Sequence, residues 1–357
     1  MRVLASAPAK LVLLGEYAVL EGAPALVAAI DRRLHVELQP SGSETWFFET
    51  DLEGGRRAEV RWTPEGVQVY PDDGSERWCV PLGIVVDSVL KDAGIRAERP
   101  PGCRVRIRSA SLFEANGGEK LGLGSSAALV VALTAALRRA LRIWGYDILG
   151  PEPLNEFRQD LALHHEIQGN RGSGVDVAAA YYGGLRAYSM QDASAQLVDL
   201  PHEVVFQAVW TGVPVSTSVF LERVEANREA QADAHRAAIE RLANLARAGL
   251  EACRSNDADA FLDHVHAYHG AMADLGRLCG IPIVSPAHAE LAHLAAREGA
   301  VYKPSGAGGG DVGLLFARSA ETLGKTGREA QTAGYRLLEL NIDSQGVLAE
   351  RQEGPAS

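Results

Sequence analysis

Cysteine is scarce in this chain: four residues in 357, Cys79, Cys103, Cys253 and Cys279, scattered and with no CxxC pair. No histidines cluster at zinc-ligand spacing. Neither a disulfide framework nor a structural metal is therefore expected, and reduced thiols fit a cytoplasmic location. Basic charge is also short. Lys and Arg number 35 against 46 Asp and Glu, a formal net charge of −11. Sequence-independent nucleic-acid binding needs a basic footprint, so no nucleic-acid partner is expected. A small anionic substrate stays open, because a few local cations can build a positive pocket. Long apolar runs are missing as well. None reaches 18 residues, and the longest, from Ala127, meets Arg138 and Arg139 too early to span a bilayer. The apolar run after Lys10 breaks at Gly15 and Glu16 and has no signal-peptide layout.

What is present is ordinary globular material, 46% apolar and 23% charged, enough for two domains or one large one. The opening "RVLASAPAKLVLLGEYAVLEGAPALVAAI" mixes strand-like runs with the turn pieces "SAP" and "EGAP". "RRLHVELQP" and "CRVRIRSA" alternate as strands do, and residues 41–77 carry short strand signals. The first hundred residues therefore read as β-rich. A helix follows, with Ser126 as N-cap and Leu129, Leu133, Leu137 and Leu141 along one face. A second helix is predicted from Pro153 to Gln168. Val219–Leu278 is helical in pattern, and the tail reads strand, Gly-rich loop, strand, helix near 319–333, then strand. The layout is α+β with two lobes and a seam near residues 200–220. No internal repeat is present, and the final "RQEGPAS" reads as a disordered end.

Four stretches could carry chemistry. "KLGLGSSAALV" (Lys120–Val130) places Gly122 and Gly124 before a helix whose free N–H groups and dipole would face an anion. Ser125 and Ser126 add hydroxyls; the plain alternative is a turn and an N-cap. A Walker A loop is excluded because no Lys follows Gly124. The apparent G-x-G-x-x-A dinucleotide motif follows no strand, and its expected acid comes late, at Asp147. "KPSGAGGGDVG" (Lys303–Gly313) holds four glycines in five residues between buried-looking runs, where something must approach the backbone. Asp176, after Gly174, is either an N-cap or a catalytic acid. Lys10, between small residues and an apolar run, is unlike a solvated surface lysine; an edge-strand gatekeeper is its plain reading.

Taken in order, "SAPAKLVLLGEYAVLEGAPALVAAID", "LGLGSSAA" and "KPSGAGGGDVG" resemble the three motifs of the GHMP kinase superfamily, over residues 3 to about 316. "QGNRGSGVDVAAAYYGG" and "WTGVPVSTS" look most like its phosphomevalonate kinase branch. The resemblance implies a ribosomal protein S5 domain 2-like N-terminal lobe (1–205) and a ferredoxin-like C-terminal lobe (206–350), with ATP and Mg²⁺ at their junction. It implies Lys10 and Asp176 as the catalytic pair. Gly122, Leu123, Gly124, Ser125, Ser126 and Ala127 would bind ATP, with Ser126 on the metal. Gly306, Ala307, Gly308 and Gly309 would shape the floor of the acceptor site. Mevalonate kinases place a magnesium-binding Glu five residues before the glycine matched by Gly169. Here His164 stands there, as is common in the phosphomevalonate branch, and Glu166 lies two residues on.

Charge then shapes the expected mechanism. A phosphate monoester has a second pKa of about 6, so at neutral pH a phosphate acceptor needs no general base, unlike an alcohol. Repulsion is the greater obstacle: two unit charges 5 Å apart repel by roughly 3 kcal/mol at an effective dielectric of 20. Lys120 and Lys303 are placed to offset it, with Arg108 and Arg171 as weaker candidates. Ser216, Thr217 and Ser218 of "WTGVPVSTS" could give hydroxyls to the substrate or simply cap a loop. His164 and His165 are left outside the chemistry. The expected activity is ATP-dependent phosphoryl transfer to 5-phosphomevalonate by a monomer or homodimer. The alternatives are a mevalonate or other small-alcohol kinase, or a catalytically silent ligand-binding paralogue.

Overall fold

The computed structural model describes residues 2–51, 55–63, 66–75, 78–95, 100–113, 120–146 and 153–353. Its first sheet is built on two long antiparallel strands, β1 (Arg2–Leu14) and β2 (Ala25–Pro40). "SAP" is not a turn. Ser6, Ala7 and Pro8 continue β1, and the pairing slips by a bulge between Pro8 and Ala9, a position where a strand accepts proline. "EGAP" does turn the chain, with Gly22 at φ 87°.

Strands β3 (Trp46–Thr50), β4 (Arg56–Thr63), β5 (Gly66–Pro71) and β6 (Cys103–Arg108) extend the sheet in the order β1-β2-β6-β3-β4-β5. Between β5 and β6 lies a helix, α1 (Val80–Asp92), within the stretch read as β-rich. Its apolar spacing was legible (Leu82, Val85, Val86 and Val89 are buried), but no N-cap side chain announces it. Helix α2 (Ser125–Ile143) packs on β1 and β2, and its many alanines permit that close approach. Leu133, Leu137 and Leu141 are buried as the four-residue repeat predicts. Helices α3 (Pro153–Ile167) and α4 (Val175–Tyr182) pack beside it. Then β7 (Leu185–Ser189) pairs with the start of β2, and β8 (Ser194–Val198) with β7.

The second sheet has strands β9 (Val205–Trp210), β10 (Val301–Pro304), β11 (Val312–Ala317) and β12 (Arg336–Leu338), antiparallel in the order β10-β11-β9-β12. Helices α5 (Thr217–Ala230), α6 (Ala232–Arg254), α7 (Ala258–Cys279) and α8 (Pro286–Arg297) connect β9 to β10, and α9 (Ala320–Thr332) connects β11 to β12. This is the β-α-β-β-α-β ferredoxin-like succession that the resemblance implied. The chain then returns: β13 (Leu348–Gln352) pairs with Arg2–Ser6 of β1. Arg351 and Gln352, in the tail read as disordered, are thus strand residues; 354–357 lie outside the described residues.

The two sheets meet at the end of β1. Leu14 packs against Gly249 of α6, and the Tyr268 hydroxyl of α7 donates to the Glu16 carbonyl at 2.8 Å. One hydrophobic core includes residues of both. The seam is therefore supported by packing where the glycine-rich loops of both halves converge.

Candidate active site

A cleft of about 1450 Å³ opens at this seam. Its walls include Lys10, Lys120, Gly122–Ser126, Arg171, Asp176, Ser216, Ser218, Gly306 and Ala307, brought together from across the chain.

The glycine cradle forms as expected, with one shift of register. The N-cap of α2 is Gly124, at φ 83°, and Ser125 and Ser126 are the first two helical residues. First-turn N–H groups lack intrahelical acceptors, so the helix presents donors and its positive end to the cleft. Glycine is needed here for space. A Cβ on Gly124 would lie 3.0 Å from Lys10 Cγ, and one on Gly122 (φ 72°) would lie 2.6 Å from Asp311. Leu123 is buried where the cleft wall meets the core, with its carbonyl accepting from the Lys10 N–H at 2.9 Å. Ala127 is a correction: its methyl is buried and does not line the cleft, because the third residue of α2 already faces β1 and β2.

Lys10 is no edge gatekeeper. It lies in β1, paired on Ala29 of β2, and its Nζ donates to the Gly122 carbonyl at 3.2 Å. Burial pushes its pKa down, and the carboxylates of Asp176, Asp311 and Glu16 push back. Asp176 is not an N-cap either, since Gly174 holds that place and Asp176 is the second residue of α4. Its Oδ1 accepts from the Val177 N–H at 3.0 Å, and its Oδ2 lies 3.8 Å from His164 Nε2. His164 is buried, and Gln168 Nε2 is 3.0 Å from the same ring nitrogen.

The third glycine loop divides in two. Gly306 and Ala307 face the cleft. Gly308 and Gly309 do not: a Cβ on Gly308 would strike the Ile283 carbonyl at 2.3 Å, and one on Gly309 the Phe220 ring at 2.3 Å. These two glycines serve the packing of the loop on the second lobe, which corrects their assignment to the substrate. Lys303 is the larger correction. It is 0% exposed, with its ammonium 2.5 Å from Glu16 Oε1 and 2.5 Å from the Pro304 carbonyl. No cation so enclosed can meet a phosphate in the cleft; β10 turns it inward against β1.

Ser216 and Ser218 lie at the start of α5, their hydroxyls 2.9 Å apart. Lys120 is exposed at the cleft rim, and Arg171 lines it while pairing with Glu222 at 2.5 Å. Arg108 stays on the sheet, 3.8 Å from Glu37 and outside the cleft lining. Three residues escaped the sequence reading: Glu16, Tyr17 and Asp311. Glu16 Oε1 accepts from the Gly306 N–H at 3.2 Å, and the Tyr17 hydroxyl donates to the Ala307 carbonyl at 2.5 Å. The signal for Glu16 was a lone acid interrupting an apolar run.

Among the described residues no group of three or more His, Cys, Asp or Glu could hold a metal unaided. A Mg²⁺ ion commonly takes one or two protein oxygens together with substrate phosphates, and the Ser126 hydroxyl in the cleft wall fits that need. No helix among the described residues is long and apolar enough to cross a membrane.

A crevice between two lobes, with a helix N-terminus and the half-buried Lys10 lining it, is the layout of a small-molecule phosphotransferase. The sequence model of the GHMP kinases N terminal domain matches residues 84–184. A mevalonate kinase of Aeropyrum pernix is 30% identical, covering 76% of each chain. A phosphomevalonate kinase of Streptomyces sp. (strain CL190) is 28% identical over 97% of this chain and 98% of its own. The crystal structure of Streptococcus pneumoniae phosphomevalonate kinase, in complex with phosphomevalonate and AMPPNP, superposes with a TM-score of 0.76 at 20% identity, covering 95% of this chain and 99% of that one. The chain belongs to the GHMP kinase family.

Proposed function

We propose that the protein transfers the γ-phosphoryl group of ATP to the phosphate of 5-phosphomevalonate, giving 5-diphosphomevalonate and ADP. The observation that carries this reading is the gathering of cations on one cleft. The chain has only five lysines, and Lys10 and Lys120 both line the cleft with Arg171 and Arg56. The carboxylates of Glu16, Asp176 and Asp311 line the same cleft, and an acceptor that is itself a phosphate needs cations beside it, because anion must approach anion. Near-full-length likeness to a phosphomevalonate kinase supports the same choice.

In this reading the N-terminus of α2, with Ser125 and Ser126, holds the ATP phosphates. Ser126 would hold Mg²⁺, which supplies charge neutralisation when bound. An oxygen of the acceptor phosphate attacks the γ-phosphorus, and the bond to the β,γ-bridging oxygen breaks as ADP leaves. Lys10 stabilises the charge on the transferring group. Lys120, Arg171, Ser216 and Ser218 orient the acceptor. The acceptor is mostly a dianion above its second pKa of about 6, so Asp176 has no proton to remove and serves to orient Lys10.

A mevalonate kinase is the second reading, favoured by the 30% identity to the Aeropyrum pernix enzyme. ADP release measured with mevalonate, phosphomevalonate, homoserine and galactose separates them. Turnover with phosphomevalonate well above the others is expected; preference for mevalonate would overturn the proposal. Tight ligand binding without turnover on any of the four would point to the silent paralogue.

A further inference from the structure

Asp311 stands where backbone geometry argues against it. Its φ is 54°, in the left-handed region, and every other left-handed position of its loop, Gly306, Gly308 and Gly309, is glycine. Asp tolerates this region better than most residues but at a cost that glycine avoids. A strained residue kept in a site points to work done by its side chain.

The residue is tethered on all sides. Its N–H donates to the Val213 carbonyl at 2.7 Å, and its own carbonyl accepts from the Thr211 N–H at 2.9 Å and the Thr211 hydroxyl at 3.0 Å. Carboxylate Oδ1 accepts from the Val215 N–H at 3.1 Å. Oδ2 faces Gly122, where an added Cβ would come within 2.6 Å of it. Gly122 is also the residue whose carbonyl receives Lys10 Nζ. Asp311 and Lys10 share the cleft wall.

We propose that Asp311 is a positioning residue, whose carboxylate holds the Lys10 ammonium charged and aimed into the cleft while its backbone locks the third glycine loop to Thr211 and Val213 in the loop after β9. It rests on the placement of Lys10 in phosphoryl transfer set out above. The charged groups facing Lys10 are Asp176 from α4, Glu16 after β1, Asp311 before β11 and, opposing them, the like charge of Lys303 in β10. Burial raises the Asp311 pKa, while the Val215 N–H and Lys10 hold it down. Asp311 is thus the lobe-crossing partner: it belongs to the second sheet's loop and lines the cleft together with a lysine of the first sheet.

Asp311→Asn separates this from a purely structural role. Asparagine tolerates the left-handed region and keeps the oxygen that accepts from Val215, so it removes the charge alone. The readout is the rate at which acetic anhydride acetylates Lys10 at pH 8, followed by mass spectrometry in the full chain, with exposed Lys325 as internal reference. The Asp311 charge favours the charged form of Lys10, so removing it lowers the Lys10 pKa and frees more neutral amine. Lys10 in the variant is expected to react roughly tenfold faster, Lys325 at the same rate, and kcat to fall. An unchanged or slower Lys10 rate in folded protein would overturn the proposal. Should the Asn variant not fold, Asp311→Gly fits φ 54° and carries the same test. Acetylation needs no acceptor, so a wrong substrate assignment would abolish turnover in both proteins and leave the Lys10 readout decisive.

Discussion

Replacing Lys303 by methionine tests the view that this lysine is a strut between the lobes and not a substrate contact. Its side chain is 0% exposed, and that of its partner Glu16 is 3% exposed. Lys303→Met would leave Glu16 Oε1 with the Gly306 N–H alone, and Oε2 is already buried without a hydrogen-bond partner. Removing one member of a buried pair costs about 3–5 kcal/mol, because the other charge stays buried and uncompensated. At about 2–4 °C per kcal/mol for domains of 150–250 residues, the melting temperature should drop by roughly 6–20 °C. Glu16→Gln combined with Lys303→Met leaves no orphan charge, and Gln keeps an oxygen for Gly306, so the double variant should recover most of the loss. Thermal unfolding of wild type, both single variants and the double variant measures the coupling. A single-variant loss below about 1 kcal/mol, the range of exposed pairs, would refute the reasoning. A raised acceptor KM in a fully stable Lys303→Met protein would restore the direct substrate role.

Two further outcomes follow from the same geometry. Gly124→Ala must place a Cβ 3.0 Å from Lys10 Cγ at φ 83°, a conformation costing an L-residue about 1–2 kcal/mol. Activity should fall at least tenfold, whereas Gly42→Ala, at φ 73° with nothing within 4 Å, should lose similar stability and keep its kinetics. Equal kinetic losses would show that the crowding of Lys10 does not matter. Asp160, buried against Arg138 at 2.8 Å, has its pKa raised by burial to about 6. Between the unfolded value near 3.9 and about 6, the folded state binds the extra proton. Its contribution to stability is therefore present below about pH 4 and is lost as the pH rises through about 6. Urea unfolding across pH 4–7 should show this slope, and Asp160→Asn should remove it; a slope unchanged in the variant assigns it to other groups.

Local pattern determined a good deal. The four-residue leucine repeat placed α2, because a helix on a sheet must bury one stripe whatever the rest of the chain does. The helical stretch from Val219 and the strand–loop–strand tail were legible for similar reasons, as was the choice of Gly122 and Gly124 as a close-approach turn. Helix α1 was hidden because its first turn carries no capping side chain, and "SAP" misled because proline in a strand reads as a break unless the bulge that admits it is known.

The direction of individual side chains was decided only by the tertiary structure. Lys10 and Lys303 each stand at a strand beside a glycine loop and look alike in sequence, yet one borders the cleft and the other is sealed against Glu16. The difference arises where β10 packs on the end of β1, an alignment of residues 287 apart in sequence. Gly306 and Gly308 differ in the same way, one facing the cleft with Lys10 Nζ 3.9 Å from where a Cβ would stand and the other a carbonyl of the second lobe. Asp311 shares a cleft wall with Lys10 only because the two lobes pack together. Periodicity reports which residues one element must bury; it holds no information about which element will arrive to bury them.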